Sequence, residues 1–293
     1  MIHPYATALY AKSLAHWGRE YSVPEWGTSV IVRRFHDDLE DVFGTYPLAI
    51  LSPDSDLEGG IDRLKAEGFV CVTLVLDEFH RPSLEQLEKK FNVLRPFKTH
   101  LIICRKHSQK EDYSRHHRYY IKKALQQVDV KQFSLKDELE SWQNLYQNLI
   151  EKQSLSGVHL FSLDYHKSLA QMEGVSAIGA WANGQLVSSH IFVSDGDFVH
   201  SHLAASNREG YTYGAAYAIN HEAIQTFRHA KIINFGGGAG LTDDPEDGLF
   251  RFKKGFANGQ ANSYICGAIL NPEKYEKLIK GKEQTTFFPA YRA

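Results

Sequence analysis

Residues 231–256 read KIINFGGGAGLTDDPEDGLFRFKKGF and combine features that mark a ligand-binding site. A short apolar strand over residues 232–235 runs directly into the glycines Gly236–Gly238. Glycines let a backbone approach a bound molecule closely, although three in a row are also compatible with a plain turn. A turn-rich acidic loop follows, and then an aromatic and basic block that contains Lys253. We predict a site here, with Lys253 as a cation in a fixed place.

Composition limits the class of protein. The chain has 293 residues, which is enough for about two domains of ordinary size. Its net charge is −2, whereas domains that bind nucleic acid usually have a strongly basic balance, so no DNA partner is expected.

The cysteines and the hydropathy pattern point to the cytoplasm. Cys71, Cys104 and Cys266 are far apart and form no CxxC pair, which argues against a zinc site or a disulfide framework. Free thiols in a reducing compartment are expected. The N-terminus does not resemble a signal peptide, and no run of about 18 apolar residues predicts a membrane span.

The first 110 residues alternate strand and helix. Apolar or β-branched runs predict four strands, at 28–35, 45–51, 69–76 and 97–105. Short helices over 61–68 and 83–91 separate them. This pattern predicts a mixed α/β unit over residues 1–110.

Three strand-like runs form the clearest architectural pattern in the rest of the chain. They cover 175–181, 185–193 and 197–206, and the dipeptides Asn183-Gly184 and Asp195-Gly196 join them. Both dipeptides favour two-residue hairpins. An antiparallel meander is therefore predicted, preceded by helices and followed by a helix and the strand at 232–235.

The helix predicted over residues 113–127 has a basic face formed by Arg115, Arg118 and Lys122. Such a face is either a solvated surface or a contact for a phosphorylated ligand, because guanidinium groups bind phosphate oxygens well. Both interpretations stay open on the sequence alone.

From residue 113 onward, the order of elements is similar to that of the GNAT acyltransferase fold. The resemblance implies an α/β protein with two GNAT-like lobes, built from mixed sheets with an antiparallel meander and flanking helices. In that fold the last strand of the meander and the next parallel strand splay apart, and the acyl donor lies between them. Here those strands would be 197–206 and 231–235. The predicted domains are 1–110, a degenerate N-terminal lobe, and 111–293, the lobe that carries the active site.

The resemblance is more specific to the Fem family, which comprises aminoacyl-tRNA-dependent peptidyltransferases and their GNAT-like relatives. The strand end NFGGG at 234–238 and the segment DGLFRFKKGF at 247–256 resemble the family's C-terminal signature. So do RHHRYYIKKAL at 115–125, LDYHKSLA at 163–170 and VHSHLAAS at 199–206. The likeness covers residues 110–280, and residues 1–110 resemble the family's first half only in order and length.

Two departures bear on the donor. Acyl-CoA-dependent GNAT enzymes usually carry Q/R-x-x-G-x-G/A at the start of the helix after the meander. Here Arg208 is followed by a glycine at the wrong spacing, Gly210. The chain also lacks the long helical arm of the larger tRNA-dependent members.

By this resemblance, Lys253 would stabilise the negative charge that develops on the carbonyl oxygen during acyl transfer. The alternative is a surface lysine whose stem packs over Phe252 and Phe256. No nucleophile motif such as GxSxG is present, so direct attack by the acceptor amine is the simpler hypothesis.

His200 and His202 lie two residues apart on a predicted strand. His202 could accept a proton from an ammonium acceptor, because the pKa range of histidine suits that task. The alternatives are a packed histidine pair and a metal site completed by His190. We predict no metal.

The sequence thus predicts an enzyme that moves an aminoacyl or acyl group to an amine, with no tightly bound cofactor. Aminoacyl-tRNA is the favoured donor, and acyl-CoA is the alternative. The acceptor would be an amine-bearing small molecule or a cell-envelope precursor. A non-catalytic ligand-binding module on the same fold is the alternative of another class. The predicted residues are Lys253 and His202 in catalysis, and Phe252, Arg118, Tyr213, His200, Gly236, Gly237 and Gly238 in substrate binding.

Overall fold

The computed structural model describes residues 2–36, 39–106, 113–153, 160–240, 244 and 246–293. The predicted mixed α/β fold is confirmed. The chain forms two compact units. The terminal unit comprises Ile2–Lys98 with Asn262–Ala293, and the central unit comprises Thr99–Ala261. The division into an N-terminal lobe over residues 1–110 and a second lobe over residues 111–293 stays a prediction.

The chain enters the terminal unit first and passes into the central unit within a long strand, β5. The elements up to that point are α1 (Ala8–Ser13), β1 (Arg19–Val23), β2 (Thr28–His36), β3 (Leu39–Phe43), α2 (Leu57–Ala66), β4 (Cys71–Leu76), α3 (Leu84–Lys90) and β5 (Val93–Cys104).

The central unit follows, and the chain then returns to the terminal unit within the last strand. The remaining elements are α4 (Arg115–Ala124), β6 (Asp129–Phe133), α5 (Leu139–Gln153), α6 (Leu163–Leu169), β7 (Val175–Ala182), β8 (Gln185–Ser194), β9 (Phe198–Ser206), α7 (Arg208–Tyr213), α8 (Ala215–Thr226), β10 (Ile232–Asn234), α9 (Gly248–Lys254), β11 (Gly259–Ile269) and α10 (Pro272–Ile279).

The sheet of the terminal unit has the order β1-β2-β3-β4-β11. The apolar run predicted at 69–76 becomes β4, which is buried between a parallel neighbour, β3, and an antiparallel neighbour, β11. The strand predicted at 45–51 is wrong, because only Ala49 makes a bridge there, to Leu76. A proline at position 47 removes a backbone N–H that a strand would need.

A buried ion pair fixes the end of the chain in the terminal unit. Asp41 is fully buried, and Arg292 donates to its two carboxylate oxygens over 2.6 and 2.8 Å. Tyr291 donates its hydroxyl to the same carboxylate over 2.8 Å. Desolvation, followed by the nearby Cys71 and Asp41, raises the pKa of Tyr291 far above its usual range. The C-terminal residues are therefore anchored by one hydrogen-bonded network.

The central unit contains the predicted meander, in the sheet order β5-β10-β9-β8-β7-β6. β7, β8 and β9 pair antiparallel in succession. Asn183 and Gly184 have positive φ angles of 51° and 78° at the first turn, as a type I′ hairpin requires. The local turn chemistry that the sequence indicated therefore builds this part of the sheet.

The strand before the glycines is short. β10 pairs in parallel with β9 over three positions only, ending where Asn234 faces His200. β10 stops there, while β9 continues to Ser206. The sheet therefore opens between the two strands at the point where the chain turns into Gly236.

One face of the central sheet is covered by the helices α4, α8 and α9. Their apolar side chains form one core with the strands, which includes Ile121, Ile178, Phe192, Ile219, Ile233 and Phe256. Among the described parts of the chain, no helix has the length and apolar character needed to cross a bilayer.

Candidate functional site

Lys253 lies on the short helix α9, directly after the glycine-containing loop. Its ammonium donates a hydrogen bond of 2.6 Å to the carbonyl oxygen of Gly237. The side chain is half-buried, and the neighbouring Lys254 is exposed. The ammonium is thus held at the open end of β10 rather than free in solvent.

Gly236 and Gly238 suit this loop for different reasons, one of backbone conformation and one of space. Gly236 has φ +75°, a region that favours glycine, and a Cβ placed there would lie 3.5 Å from the Lys253 Nζ atom. At Gly238 a Cβ would lie 3.0 Å from Oδ1 of Asp247. Of the predicted residues, Lys253 therefore lies with Gly236 and Gly237, Gly238 lies against Asp247, and Phe252 packs on His117 and Phe256.

Asp247 connects the loop to the start of α9. Its carboxylate accepts hydrogen bonds from the backbone N–H groups of Phe250, Leu249 and Ala239. Desolvation raises the pKa of this carboxyl, but those bonds and the charge of Lys253 outweigh it, so the pKa is lowered. Asp243 and Pro245, two other members of the predicted acidic loop, lie outside the described residues.

From α4, His117 supports α9, although the sequence indicated only that it lies on the buried face of its own helix. Its Nε2–H donates to the carbonyl oxygen of Phe252 over 2.8 Å, and Nδ1 accepts from Ser114 Oγ over 2.9 Å. A Cβ at Gly255 would lie within 2.2 Å of the imidazole ring. Burial lowers the pKa of His117, so the ring is neutral and fixes the backbone next to Lys253.

His190, on β8, is a second buried histidine on the central sheet. Desolvation and the charge of Lys253 lower its pKa to about 4. The sequence had suggested His190 only as a third ligand for a metal. The sequence gave no local signal for this position. Every residue from 186 to 193 is buried, so no alternation of buried and exposed residues marks one of them.

His202, on β9, is a buried histidine. Its Nε2 atom shares a 2.5 Å hydrogen bond with the hydroxyl of Tyr165 on α6. Desolvation, with smaller contributions from His166 and His200, lowers its pKa to about 3. Because Nε2 is engaged by the Tyr165 hydroxyl, this geometry corresponds to the packed alternative, and a catalytic role for His202 stays a prediction.

A β-bulge in the pairing of β8 with β9 changes the alternation of side chains between His200 and His202. Ser201 pairs with Phe192 and Leu203 with Ile191, so His202 has no partner of its own in the register. His200 pairs with Asn234 on β10. The Asn234 side chain accepts from the N–H of Gly236 over 2.8 Å, which places His200 one strand away from the glycines.

Arg118 and Tyr213 lie on two different helices, α4 and α7. Arg118 is exposed and donates to the carbonyl oxygen of Tyr113 over 2.5 Å. It lines a surface pocket of about 440 Å³ together with Lys122 and His221. Tyr213, at the end of α7, packs against the apolar core and is only partly buried. No contact joins either residue to Lys253 among those described.

A family model supports the family predicted from the sequence. Residues 173–276 match that of the FemAB family, a range that includes the meander, the glycines and α9.

One curated relative and several solved structures are similar to the chain. The relative is the UDP-N-acetylmuramoylpentapeptide-lysine N(6)-alanyltransferase of Weissella viridescens, which is 23% identical over 155 residues. This match covers 52% of the chain and 46% of the relative, so the chain matches about half of that protein's length.

The structural likeness extends over nearly the whole chain. A crystal structure of FemX has a TM-score of 0.68 at 13% identity, covering 94% of this chain and 95% of FemX. The C-terminal domain of a putative lysylphosphatidylglycerol synthetase from Agrobacterium fabrum has a TM-score of 0.62 at 11% identity, covering 92% and 89%. At such identities the structures show a shared fold. The match of residues 173–276 to the FemAB family model agrees with the Fem resemblance predicted from the sequence for this part of the chain.

Proposed function

We propose that the protein transfers an aminoacyl group from a carrier to an amine by direct attack. The observation that carries this proposal is the Lys253 ammonium, held 2.6 Å from a backbone carbonyl at the open end of β10. The alanyltransferase relative, whose name describes transfer to a lysine amine, supports the reaction class.

The donor would lie where β9 continues past the end of β10. Backbone groups in such an opening can bond to an ester or amide of the donor, because polar groups of the main chain require partners. The Lys253 ammonium would then stabilise the oxyanion that forms at the donor carbonyl. One preorganised hydrogen-bonding group at the oxyanion typically accelerates such a reaction by about 10²–10³.

A covalent enzyme intermediate on cysteine is not part of the proposal. Burial raises the pKa of both Cys71 and Cys266 to about 12, so neither provides a thiolate near neutral pH. Direct attack by the acceptor amine needs no such group.

We favour aminoacyl-tRNA as donor over acyl-CoA. The basic residues of α4, which include Arg118 and Lys122 beside the surface pocket, would contact phosphates of the carrier. The acceptor would be an amine of a cell-envelope precursor, by analogy with the named substrate of the relative. Roles for Tyr213, His200 and His202 and the cytoplasmic location stay predictions.

The experiment uses alanyl-tRNA with a labelled alanyl group and a lysine-containing peptide as acceptor. Lys253→Met keeps the side-chain length but removes the charge, and we expect turnover to fall by about 10²-fold or more. Lys254→Met is the matched control, because Lys254 is exposed one residue away, and it should retain activity.

Two further experiments distinguish the two donors and test the non-catalytic alternative. RNase treatment should abolish transfer from the tRNA donor, and transfer from acetyl-CoA that survives RNase would overturn the tRNA proposal. If the wild type binds donors but transfers from neither, the protein is a binding module and the enzyme proposal fails.

A further inference from the structure

His190 is the candidate that we pursue, because it is a buried polar side chain with no assigned role. It is 5% exposed, and its Nδ1 atom is buried without a hydrogen-bond partner among the described residues. Burying an imidazole nitrogen without a partner is energetically unfavourable. Such a group in a native structure therefore calls for an explanation.

The strand register places His190 on the face of the sheet that α9 covers. His190 faces Ile178 on β7, and Ile178 belongs to the core under α4, α8 and α9. Phe256 belongs to the same core, and Phe252 packs against it, so the core residues flank Lys253 in sequence. The charge of Lys253 also contributes to the lowered pKa of His190.

The same face is open beside His190. On the other side, His190 faces Ala204 of β9, and paired residues across an antiparallel ladder project to the same face. Ala204 is exposed although it lies inside a strand of the sheet. The imidazole thus borders the part of β9 that extends past the end of β10.

We propose that His190 is the group that binds the attacking amine and accepts its proton. This inference rests on the proposed acyl transfer and adds the second partner of Lys253 in that reaction. The amine nitrogen forms a C–N bond to the donor carbonyl, and the C–O ester bond to the carrier breaks. The proton leaves the nitrogen for the His190 ring and passes from there to the departing carrier oxygen. Lys253 stays protonated and faces the carbonyl oxygen throughout.

The charges around His190 suit this role. Burial is the larger cause of the lowered pKa of His190, and the charge of Lys253 is the smaller one. Both effects keep the ring neutral near pH 7, so a ring nitrogen is available to accept a hydrogen bond. The cation beside it also disfavours a positively charged ammonium, which could not attack a carbonyl.

The first test is chemical rescue in the full chain. We expect His190→Ala to lower kcat by about 10²–10⁴, the range typical of general acid–base groups, with little change in donor affinity. Added imidazole should restore part of the rate. Pyrazole, which has the same size but is much less basic, should not.

Rescue by both compounds would indicate a space-filling role and overturn the proposal. His229→Gln, an exposed histidine on the same unit, is the control.

A second test does not depend on turnover. Nitrogen NMR of the wild type during titration with Nα-acetyl-lysine should show a change at the His190 ring, assigned by its absence in His190→Asn. No change at saturating amine would overturn the proposal whatever the donor is. If the wild type transfers alanine, Lys253→Met is inactive and His190→Ala is fully active, this inference fails while the proposed function stands.

Discussion

The ammonium of Lys253 donates to the carbonyl oxygen of Gly237, which lies 16 positions earlier in the chain, over a distance of 2.6 Å. This bond connects the helix α9 to the loop that begins where β10 ends. It turns a cation that could have been solvated into one with a defined position.

A side chain at residue 236 would be in van der Waals contact with the Lys253 Nζ atom, so turnover should respond to its addition. Gly236→Ala forces a side chain into φ +75°, which costs about 1–2 kcal/mol, and places a Cβ 3.5 Å from the Lys253 Nζ atom. Gly240→Ala has a similar φ of +70° but open space around it. We expect both variants to lose similar stability in thermal unfolding, and only Gly236→Ala to lose turnover. Equal turnover in the two would show that Lys253 does not need this approach.

The contact between His117 and Gly255 should be equally sensitive. In Gly255→Ala the new Cβ would overlap the imidazole ring, since the ring atoms lie 1.9–2.2 Å from its position. Overpacking of this kind costs about 1–3 kcal/mol and would displace the hydrogen bond from His117 to Phe252. Gly248→Ala, on the same helix, meets nothing within 4 Å. A melting temperature that falls only in Gly255→Ala is the expected result, and an equal fall in both would contradict it.

Stability should fall below about pH 6.5 because buried histidines stay neutral. The pKa of His190 is about 4 and that of His202 about 3, so the unfolded chain binds protons at pH values where the folded chain does not. Each such group costs up to about 1.4 kcal/mol per pH unit between its unfolded and folded pKa values. Above pH 6.5 both states are neutral and the effect disappears. Denaturant unfolding between pH 7 and pH 5 measures the slope.

A variant identifies the source of that slope. His202→Gln should be less stable at pH 7, because the hydrogen bond to Tyr165 is altered, yet its stability should decline less steeply with acid. His229→Gln should keep the wild-type slope, since His229 is exposed. If all three proteins share one slope, His202 is not its cause.

The C-terminal anchor of the terminal unit should be worth more than a surface ion pair. Arg292→Ala leaves the fully buried Asp41 carboxylate without its bidentate partner, and removing one member of a buried pair costs about 3–5 kcal/mol. Arg19→Ala removes a single bond to the partly exposed Glu40 and should cost at most about 1 kcal/mol. Chemical denaturation measures the free energy of unfolding of the two variants. Similar losses would show that the buried pair contributes no more than a surface ion pair.

Local patterns in the sequence determined the architecture of the central unit. Asn183 and Gly184 specify a hairpin through the backbone angles that they tolerate. The run of Ile232 to Gly238 specifies a strand end and a turn, and the apolar spacing of residues 115–124 specifies α4. Turn chemistry and periodicity act over a few residues, so a single sequence expresses them directly.

Other elements depended on partners that are distant in sequence. β1, with the polar sequence REYSV, is a strand because it pairs with β2, and its own periodicity gave no such prediction. The apolar residues 45–51 form no strand, although their composition favours one. In both places pairing across the sheet outweighed local propensity.

The sequence by itself determined that a lysine among aromatic residues follows a glycine-rich strand end, and that this resembles the Fem family. Only the tertiary structure decided that Lys253 bonds to Gly237, that its charge acts on the buried His190, and that a bulge changes the surroundings of His202. The physical reason is that burial and charge proximity set the protonation of a side chain. Both depend on the packing of helices and strands far apart in the chain, which no local spacing records.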